Sequence, residues 1–441
     1  MEVPYIIMDN SGLYVGLDIG TTSIKVIVAE KVKGQLNVIG VGNEPSNGLS
    51  RGVIVDIDQA AEAIRGAVNQ AQEKASIEIK DVIVGAPANM LRIEPCNGLI
   101  TIDDQSREIT AEDVRNVASS AMGTSLPQER EVVDIQPEEF IVDGFDGIKD
   151  PRGMVGVRLE MRGKLITGSK GIMHNLQKAV EKAGLNIQSM ILTPLAEAHQ
   201  MLNDGEQDFG TIIIDLGGGQ TTATVFHDHQ LKFATTDSEG GEYITKDISI
   251  VLNSSMSNAE KIKRDYGYAD SFQASSDNEF PVEVVGQSEP TYVDEKYLAE
   301  IIEARLSQIF DRLKDQLEQV SALDLPGGIV LTGGVAALPG IADLAADQFN
   351  ANVRVYIPDQ MGLRHPSFSS VLSLVSYYSD LSDIQLTTRS AVGATMTKAP
   401  KVVEQSAQPT SKPAKQSKPK RPKNKKKRGE GIKNFFSDFF D

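Results

Sequence analysis

The sequence predicts an α/β chain made of two similar halves facing a shared cleft, and two observations carry that reading. A strand ending in Asp and then a Gly turn occurs twice, in residues 13–30 (LYVGLDIGTTSIKVIVAE) and 211–226 (TIIIDLGGGQTTATVF). Leu17-Asp18-Ile19-Gly20-Thr21-Thr22 aligns with Ile214-Asp215-Leu216-Gly217-Gly218-Gly219 at an offset of 197. In both, the apolar run is short and rich in β-branched residues, and Gly breaks it. The second observation is another echo in the same order. Asp81-Val82-Ile83-Val84-Gly85-Ala86 nears the close of the first half as Ile329-Val330-Leu331-Thr332-Gly333-Gly334 nears the close of the second.

The other elements follow along the chain. Residues 57–75 and 173–184 have amphipathic helical spacing. Residues 87–165 lack a Gly-rich phosphate loop and contain turn-rich stretches such as Asp143-Gly144-Phe145-Asp146-Gly147, which marks them as an inserted subdomain. Residues 268–292 are polar and poor in apolar side chains, the composition of a mobile loop or an excursion from the main body. In 294–320, Leu298, Ile301, Ile302, Leu306, Ile309, Phe310, Leu313 and Leu317 recur at helical spacing, the pattern of a core-facing helix.

The chain has 441 residues and a formal net charge of −17, but the charge is unevenly spread. Residues 398–428 carry twelve Lys or Arg and one acid, +11, while residues 1–397 carry −26. An acidic body argues against nucleic acid as a partner, which calls for a basic face. The segment 398–428 has five prolines and few large aliphatics, so it cannot bury enough surface to offset chain entropy and reads as a disordered linker. The single cysteine, Cys96, excludes an internal disulfide, suits a reducing compartment and reads as inert packing. Residues 1–12 have no basic and apolar leader pattern, and no apolar run approaches the ~18 residues of a membrane span. The expected location is the cytoplasm.

The Gly turns carry the chemistry. Without a Cβ, successive backbone N–H groups can point at one anion. Thr21, Thr22 and Lys25 add donors on one side, as do Gln220 and Thr221 beside Gly217, Gly218 and Gly219 on the other. Asp18 and Asp215 would face each other across the cleft. Two carboxylates beside a polyphosphate suit Mg2+, which keeps most of its waters.

This set resembles the actin-like ATPase superfamily, with phosphate loops at 15–25 and 212–222 and an adenosine loop at 327–340. The resemblance implies an actin-like fold, two RNase H-like halves around a nucleotide cleft, with ATP and Mg2+ as ligands. Glu260, Lys263 and Arg264 form an E-x-x-K-R run similar to the adenosine-contacting helix of the 70-kDa heat-shock chaperones. Adenine and ribose are then implied between that helix and Gly333, Gly334 and Val335, with Gly241 nearby.

Within the superfamily, the residues are similar to the FtsA family of cell-division proteins over about 13–397 and again over 429–441. The marks are Pro194-Leu195-Ala196, Gly240-Gly241-Glu242-Tyr243-Ile244-Thr245-Lys246-Asp247-Ile248, Val330-Leu331-Thr332-Gly333-Gly334 and the C-terminal segment. The family implies subdomain 1A at 1–86 and 166–196, an FtsA-type 1C subdomain at 87–165, 2A at 197–248 and 308–397, and 2B at 249–307. It also implies a homopolymer that tethers the tubulin-like FtsZ to the inner face of the membrane at the septum and helps assemble other division proteins. Arg305, in the 2B region, would meet the acidic FtsZ tail.

Two positions depart from the chaperone pattern. Thr222 stands where the second loop would carry another Asp, and Thr193 stands where a catalytic Glu precedes the proline. Thr cannot act as a general base near neutral pH, so ATP is expected to serve mainly as an assembly ligand, with slow hydrolysis at most. Asp18 and Asp215 are the acidic residues of the reaction, and Glu197 is the fallback carboxylate.

Ile432, Phe435, Phe436, Phe439 and Phe440 fall on one face of a helix, and polar residues cover the other. Next to the basic linker, that face (residues 429–441) reads as a membrane-targeting helix for anionic lipid, or alternatively as a ligand for a protein groove. A small-molecule kinase or a pilus-assembly actin homologue is the competing function. The kinase would need a cleft carboxylate as base and leaves the C-terminus unexplained.

Overall fold

The computed structural model describes residues 12–102, 107–123 and 126–396. The expected linker and C-terminal helix lie outside the described residues. Contacts divide the chain into units Met1–Lys398 and Ala399–Asp441, and every structural feature described below lies within the first.

The first half opens with β1 (Leu13–Ile19), β2 (Ser23–Val32), β3 (Gln35–Pro45), a small hairpin of β4 (Leu49–Ser50) and β5 (Val53–Ile54), α1 (Ile57–Ala75) and β6 (Asp81–Ala86). An insert follows: β7 (Arg92–Thr101), α2 (Ala111–Ala121), β8 (Arg130–Val142), β9 (Phe145–Ile148) and β10 (Arg158–Ser169). The first half resumes with α3 (Lys170–Lys182), β11 (Asn186–Leu192), α4 (Thr193–Met201) and α5 (Asp204–Phe209). The second half holds β12 (Thr211–Leu216), β13 (Thr221–His227), β14 (Gln230–Asp237), α6 (Gly241–Val251), α7 (Met256–Tyr266), β15 (Glu279–Val282), β16 (Thr291–Asp294), α8 (Glu295–Gln319), β17 (Ile329–Thr332), α9 (Ile341–Phe349) and β18 (Val353–Val355). Two helices end the described chain, α10 (Ser369–Asp380) and α11 (Asp383–Met396).

The internal repeat is real in three dimensions. One sheet runs β11-β6-β1-β2-β3 and the other β18-β17-β12-β13-β14, the same order. In each, the first three strands form an antiparallel meander and the outer two are parallel. Register matches too: Asp18 pairs with Lys25 and Asp215 with Thr222, so Lys25 and Thr222 are equivalent positions.

Alternation along β2 builds two cores. Ile24, Val26 and Val28 face α1, joining Ile64, Ala67 and Ala71, while Ile27 and Ala29 face α10, meeting Val371, Leu372 and Val375. A strand covered on both faces explains the near-continuous apolar run read from the sequence. Helix α1 starts where Asp56 accepts the N–H groups of Asp58 and Gln59, and stops at Ser76 in the left-handed region. Helix α8 buries Leu298, Ile302, Leu306, Ile309, Phe310, Leu313 and Leu317, with Ile301 at the margin, as its spacing predicts. The insert forms its own sheet, β7-β10-β8-β9, with α2 over Phe140, Leu159 and Met161. Cys96 lies half-buried on β7, and its thiol is pushed up to about 11, by burial first and then by Glu138, which keeps its thiolate fraction low at neutral pH.

Three expectations change. Residues 268–292 are not a featureless loop, because β15 pairs with β16 in register. Phe280 and Val282 are buried there, an alternation too short to stand out in a polar stretch. The boundary between residues 196 and 197 falls inside α4. Residues 369–396, read with the second half, pack instead on the first half and the insert. Leu374 joins Ile83, Ile191 and Ala196, and Ala391 and Val392 join the insert's core.

Helix α11 is pinned by a buried ion pair in which Arg389 donates to Asp134 (2.8 Å) and to the Tyr377 hydroxyl (2.9 Å). Losing one partner strands a charge in the interior. Arg389→Ala therefore lowers stability by about 3–5 kcal/mol, read as a lower urea midpoint. A midpoint unchanged within error refutes the role given to this pair.

Candidate functional site

The two Gly turns are one local structure used twice. A Cβ on Gly20 would lie 2.8 Å from the Ser23 carbonyl oxygen, and a Cβ on Gly217 would lie 2.8 Å from that of Gln220. The turns meet across the cleft. A Cβ on Gly218 would come within 2.3 Å of the Thr22 methyl carbon, and one on Gly219 within 2.4 Å of that of Thr21. Only glycine permits this approach. The second turn is fastened to the start of α6, where the Gly241 N–H donates to the Gly217 carbonyl (2.9 Å) and Glu242 N–H to that of Gly218 (2.8 Å).

Between the halves lies a cavity of about 600 Å³. Its walls include Asp18, Gly20, Thr21, Thr22 and Lys25 from the first turn, and Asp215, Gly217, Gly218, Gly219 and Gln220 from the second. Gly241, Glu260, Lys263, Arg264, Gly333, Gly334 and Val335 line the far end, and Glu197 lines the floor. Thr221 does not line it: its buried hydroxyl donates to the Glu239 carbonyl (3.0 Å) and braces the loop before α6. Gly333 sits at φ 91°, and a Cβ there would lie 2.3 Å from Asp215 Oδ1, so glycine must follow β17 for the carboxylate to fit.

The E-x-x-K-R run is on α7, and its roles divide. Lys263 Nζ donates to the Gly241 carbonyl (3.0 Å) and to the Thr245 hydroxyl (2.8 Å) and pairs with Glu260 (2.7 Å). It is buried and acts as a prop for the start of α6. Glu260 also accepts from Arg264 (2.7 Å), whose side chain is 71% exposed. Burial opposes the charge on Glu260, but Lys263, Thr245 and Arg264 outweigh it and hold the carboxyl low.

The floor is acidic. Burial, and then the charge of Asp18, pushes Asp215 up to about 6, and burial likewise raises Asp18 against the pull of Lys25. Glu197 is buried and accepts from Ser370 Oγ (2.8 Å); burial, then Asp215, holds it well up toward its neutral form. Among the described residues no three acidic, His or Cys side chains gather as a metal cage.

A carboxylate with a raised folded-state pKa favours the fold at low pH and loses that contribution as pH climbs through about 6. Asp215→Asn should therefore remove a stabilising contribution that grows on acidification from about pH 7 to 5, read as a melting-temperature profile of the ligand-free variant that rises less, or falls more, over that range than the unaltered chain's. Parallel profiles for the two proteins would exclude Asp215 as the source.

Sequence reasoning missed several wall residues. The β4 and β5 hairpin contributes Leu49, Gly52, Val53 and Ile54, and the loop before α10 contributes His365 and Ser367. His365 Nδ1 accepts the Ser367 N–H (3.2 Å), and its pKa is lowered by burial and by Lys25 and Arg264. An Arg-Gly pair after a strand was the available signal for the hairpin. Arg305 on α8 is only 18% exposed: it donates to Asp247 (2.6 Å) and Glu239 (2.9 Å) and lies 5.7 Å from the Tyr243 ring centroid.

The family model described as "Cell division protein FtsA" matches residues 212–373, and that of the "SHS2 domain inserted in FTSA" matches residues 88–167. The "Cell division protein FtsA" of Enterococcus hirae is 55% identical over 442 residues, covering 98% of this chain and 100% of that protein. The chain belongs to the FtsA family. It is thus an actin-like cell-division protein, and the insert of β7 to β10 with α2 is where the FtsA family carries its SHS2 domain. Solved structures show the same fold at low identity. A PilM–PilN type IV pilus biogenesis complex gives a TM-score of 0.58 at 15% identity over 84% of this chain and 99% of that one. MreB5 of Spiroplasma citri bound to ADP gives 0.53 at 14% identity over 84% and 96%. Among the described residues of this FtsA-family chain, no helix is long and apolar enough to cross a membrane.

Proposed function

We propose that this chain binds ATP with Mg2+ in the cleft, polymerises at the membrane, anchors FtsZ filaments to its cytoplasmic face at the division septum and helps recruit septal division proteins. The observation that carries the nucleotide reading is the convergence of two matched Asp–Gly turns on one cavity large enough for a nucleotide. The MreB5 neighbour, with ADP bound, supports it by fold.

In this reading Gly20, Thr21, Thr22 and Lys25 grip the phosphates from one half, and Gly217, Gly218, Gly219 and Gln220 from the other. Thr221, Lys263 and Glu260 hold the frame on which Gly241, Arg264, Gly333, Gly334 and Val335 receive the nucleoside. Asp18 and Asp215 would hold Mg2+ through its waters; two hard carboxylates whose charged forms burial disfavours are a fitting set, because the cation would offset that cost. The bound metal supplies charge neutralisation on the phosphates. Thr193 offers no base, and the burial that raises the pKa of Glu197 opposes its charged form, so the reading expects slow hydrolysis at most. The subdomain partition proposed is that of the sequence, with the break at residues 196 and 197 moved past the end of α4 and residues 369–396 moved beside 1A and 1C.

The membrane contact falls to Ile432, Phe435, Phe436, Phe439 and Phe440, and the FtsZ tail to Arg305. Since Glu239 and Asp247 already flank Arg305, an acidic tail would join or displace them. Arg305→Gln should weaken binding of the FtsZ tail peptide by roughly tenfold, the scale of one charged hydrogen bond, while ATP affinity holds. Equal peptide affinity removes this contact. The reading as a whole is tested by pelleting the chain on anionic lipid with and without ATP. ATP-dependent sedimentation supports it, and phosphotransfer to a metabolite acceptor would favour the kinase instead.

A further inference from the structure

The segment between β3 and α1 reaches across the cleft. Leu49 pairs with Ile54 and Ser50 with Val53, leaving Arg51 and Gly52 as a two-residue turn. Both have positive φ, 49° and 75°, the backbone of a type I′ hairpin. Arg51 is not a residue that favours this region, so the contacts around it must hold it there.

Those contacts run to both turns and both halves. Gly52 N–H donates to Thr21 Oγ1 (2.9 Å) in the first turn. Gly52 also lies against the Gln220 side chain of the second, where a Cβ would come 2.0 Å from Gln220 Oε1. Gln220 Oε1 accepts in turn from Asn89 Nδ2 (2.8 Å), again across the halves. Beyond them, Arg51 donates to the Tyr243 hydroxyl on α6 (2.8 Å). The Tyr243 ring is held between Lys246 and Arg305, with centroid distances of 6.0 and 5.7 Å. Leu49, Gly52, Val53 and Ile54 line the same cavity as the Gly turns.

We propose that this hairpin is a strap over the phosphate end of the cleft, latched by Arg51 on Tyr243, and that opening the latch limits nucleotide uptake and release. The proposal rests on the nucleotide reading above. Arg51 and Tyr243 are positioning residues: neither needs to touch the nucleotide, and both act by keeping Gly52 over Thr21 and Gln220. The latch is exposed and single, so it can open without unfolding either half.

The test uses the full chain and a fluorescent ATP analogue. Tyr243→Phe deletes only the acceptor oxygen, and Arg51→Met keeps the stem and deletes the donor. Each should speed release by roughly three- to tenfold, the scale of one hydrogen bond. The double variant should be no faster than either single one, and Arg51→Lys should restore most of the slow rate. In the nucleotide-free protein, Tyr243→Phe should also raise amide exchange at residues 49–54. Unchanged release and unchanged exchange overturn the strap while leaving nucleotide binding intact, and additive effects in the double variant overturn the latch. Failure of the unaltered chain to take up the analogue overturns the nucleotide reading and the strap with it.

Discussion

Gly218→Ala and Gly219→Ala are each expected to lower ATP affinity by on the order of 100-fold, about 2.7 kcal/mol. The added methyl on Gly218 would sit 2.3 Å from the Thr22 Cγ2 and 2.7 Å from its Oγ1, and that on Gly219 would sit 2.4 and 2.5 Å from the same atoms of Thr21. Carbon atoms do not approach that closely, so the turns must part. The phosphate donors then no longer converge, and overpacking of this kind costs about 1–3 kcal/mol by itself. A rescue separates this cause from loss of fold. Thr22→Ala removes the two nearest atoms and leaves its Cβ, 3.1 Å from the new methyl. The double variant Gly218→Ala/Thr22→Ala should therefore bind better than Gly218→Ala alone, although Thr22→Ala on its own loses a donor. Titration of the fluorescent analogue measures the four variants beside the unaltered chain. Wild-type affinity for Gly219→Ala, or no recovery in the double variant, would remove the turns from the phosphate site.

The repeat that predicts this contact was legible because it is local. Each Asp sits at the end of an apolar strand and each Gly two residues on, and the offset of 197 carries Lys25 onto Thr222 as the registers confirm. Helices α1 and α8 were legible for the same reason, since a stripe along one element records the core it faces. What the sequence hid depends on distant contacts. Arg389 and Asp134 are 255 residues apart, and nothing in the amphipathic texture of α11 says that its core belongs to the insert and not to the preceding half. The β4 and β5 hairpin is two residues a strand, below the length at which alternation carries a signal, yet it forms part of the cleft wall. Lys263 kept its predicted place but has its donors occupied by Gly241, Thr245 and Glu260, so a motif located a residue without fixing its work.

Phe435→Glu/Phe439→Glu is expected to release the chain from anionic vesicles by two orders of magnitude or more in affinity. Burying one Phe or Ile contributes ~1.5–3 kcal/mol, so two lost Phe side chains remove at least about 3 kcal/mol before the cost of two added carboxylates. Ten residues do not hold a helix alone in water, so the same change removes the surface that would fold the segment. The linker contributes separately. Lys423, Lys425, Lys426, Lys427 and Arg428 lie just upstream, and each basic residue near an anionic leaflet adds about 1 kcal/mol. Neutralising these five with Gln removes up to about 5 kcal/mol at low salt, a loss on the scale of the Phe variant's, but it should also abolish most of the dependence on salt, which the Phe variant leaves in place. Two variants with different salt slopes distinguish an apolar anchor helped by charge from a purely electrostatic tail. They also distinguish both from a helix that docks in a protein groove, because in that case co-sedimentation with vesicles would not change for either. The body carries −26 and would be repelled by an anionic surface, so in the proposed reading the holding falls to the short apolar face and its basic approach.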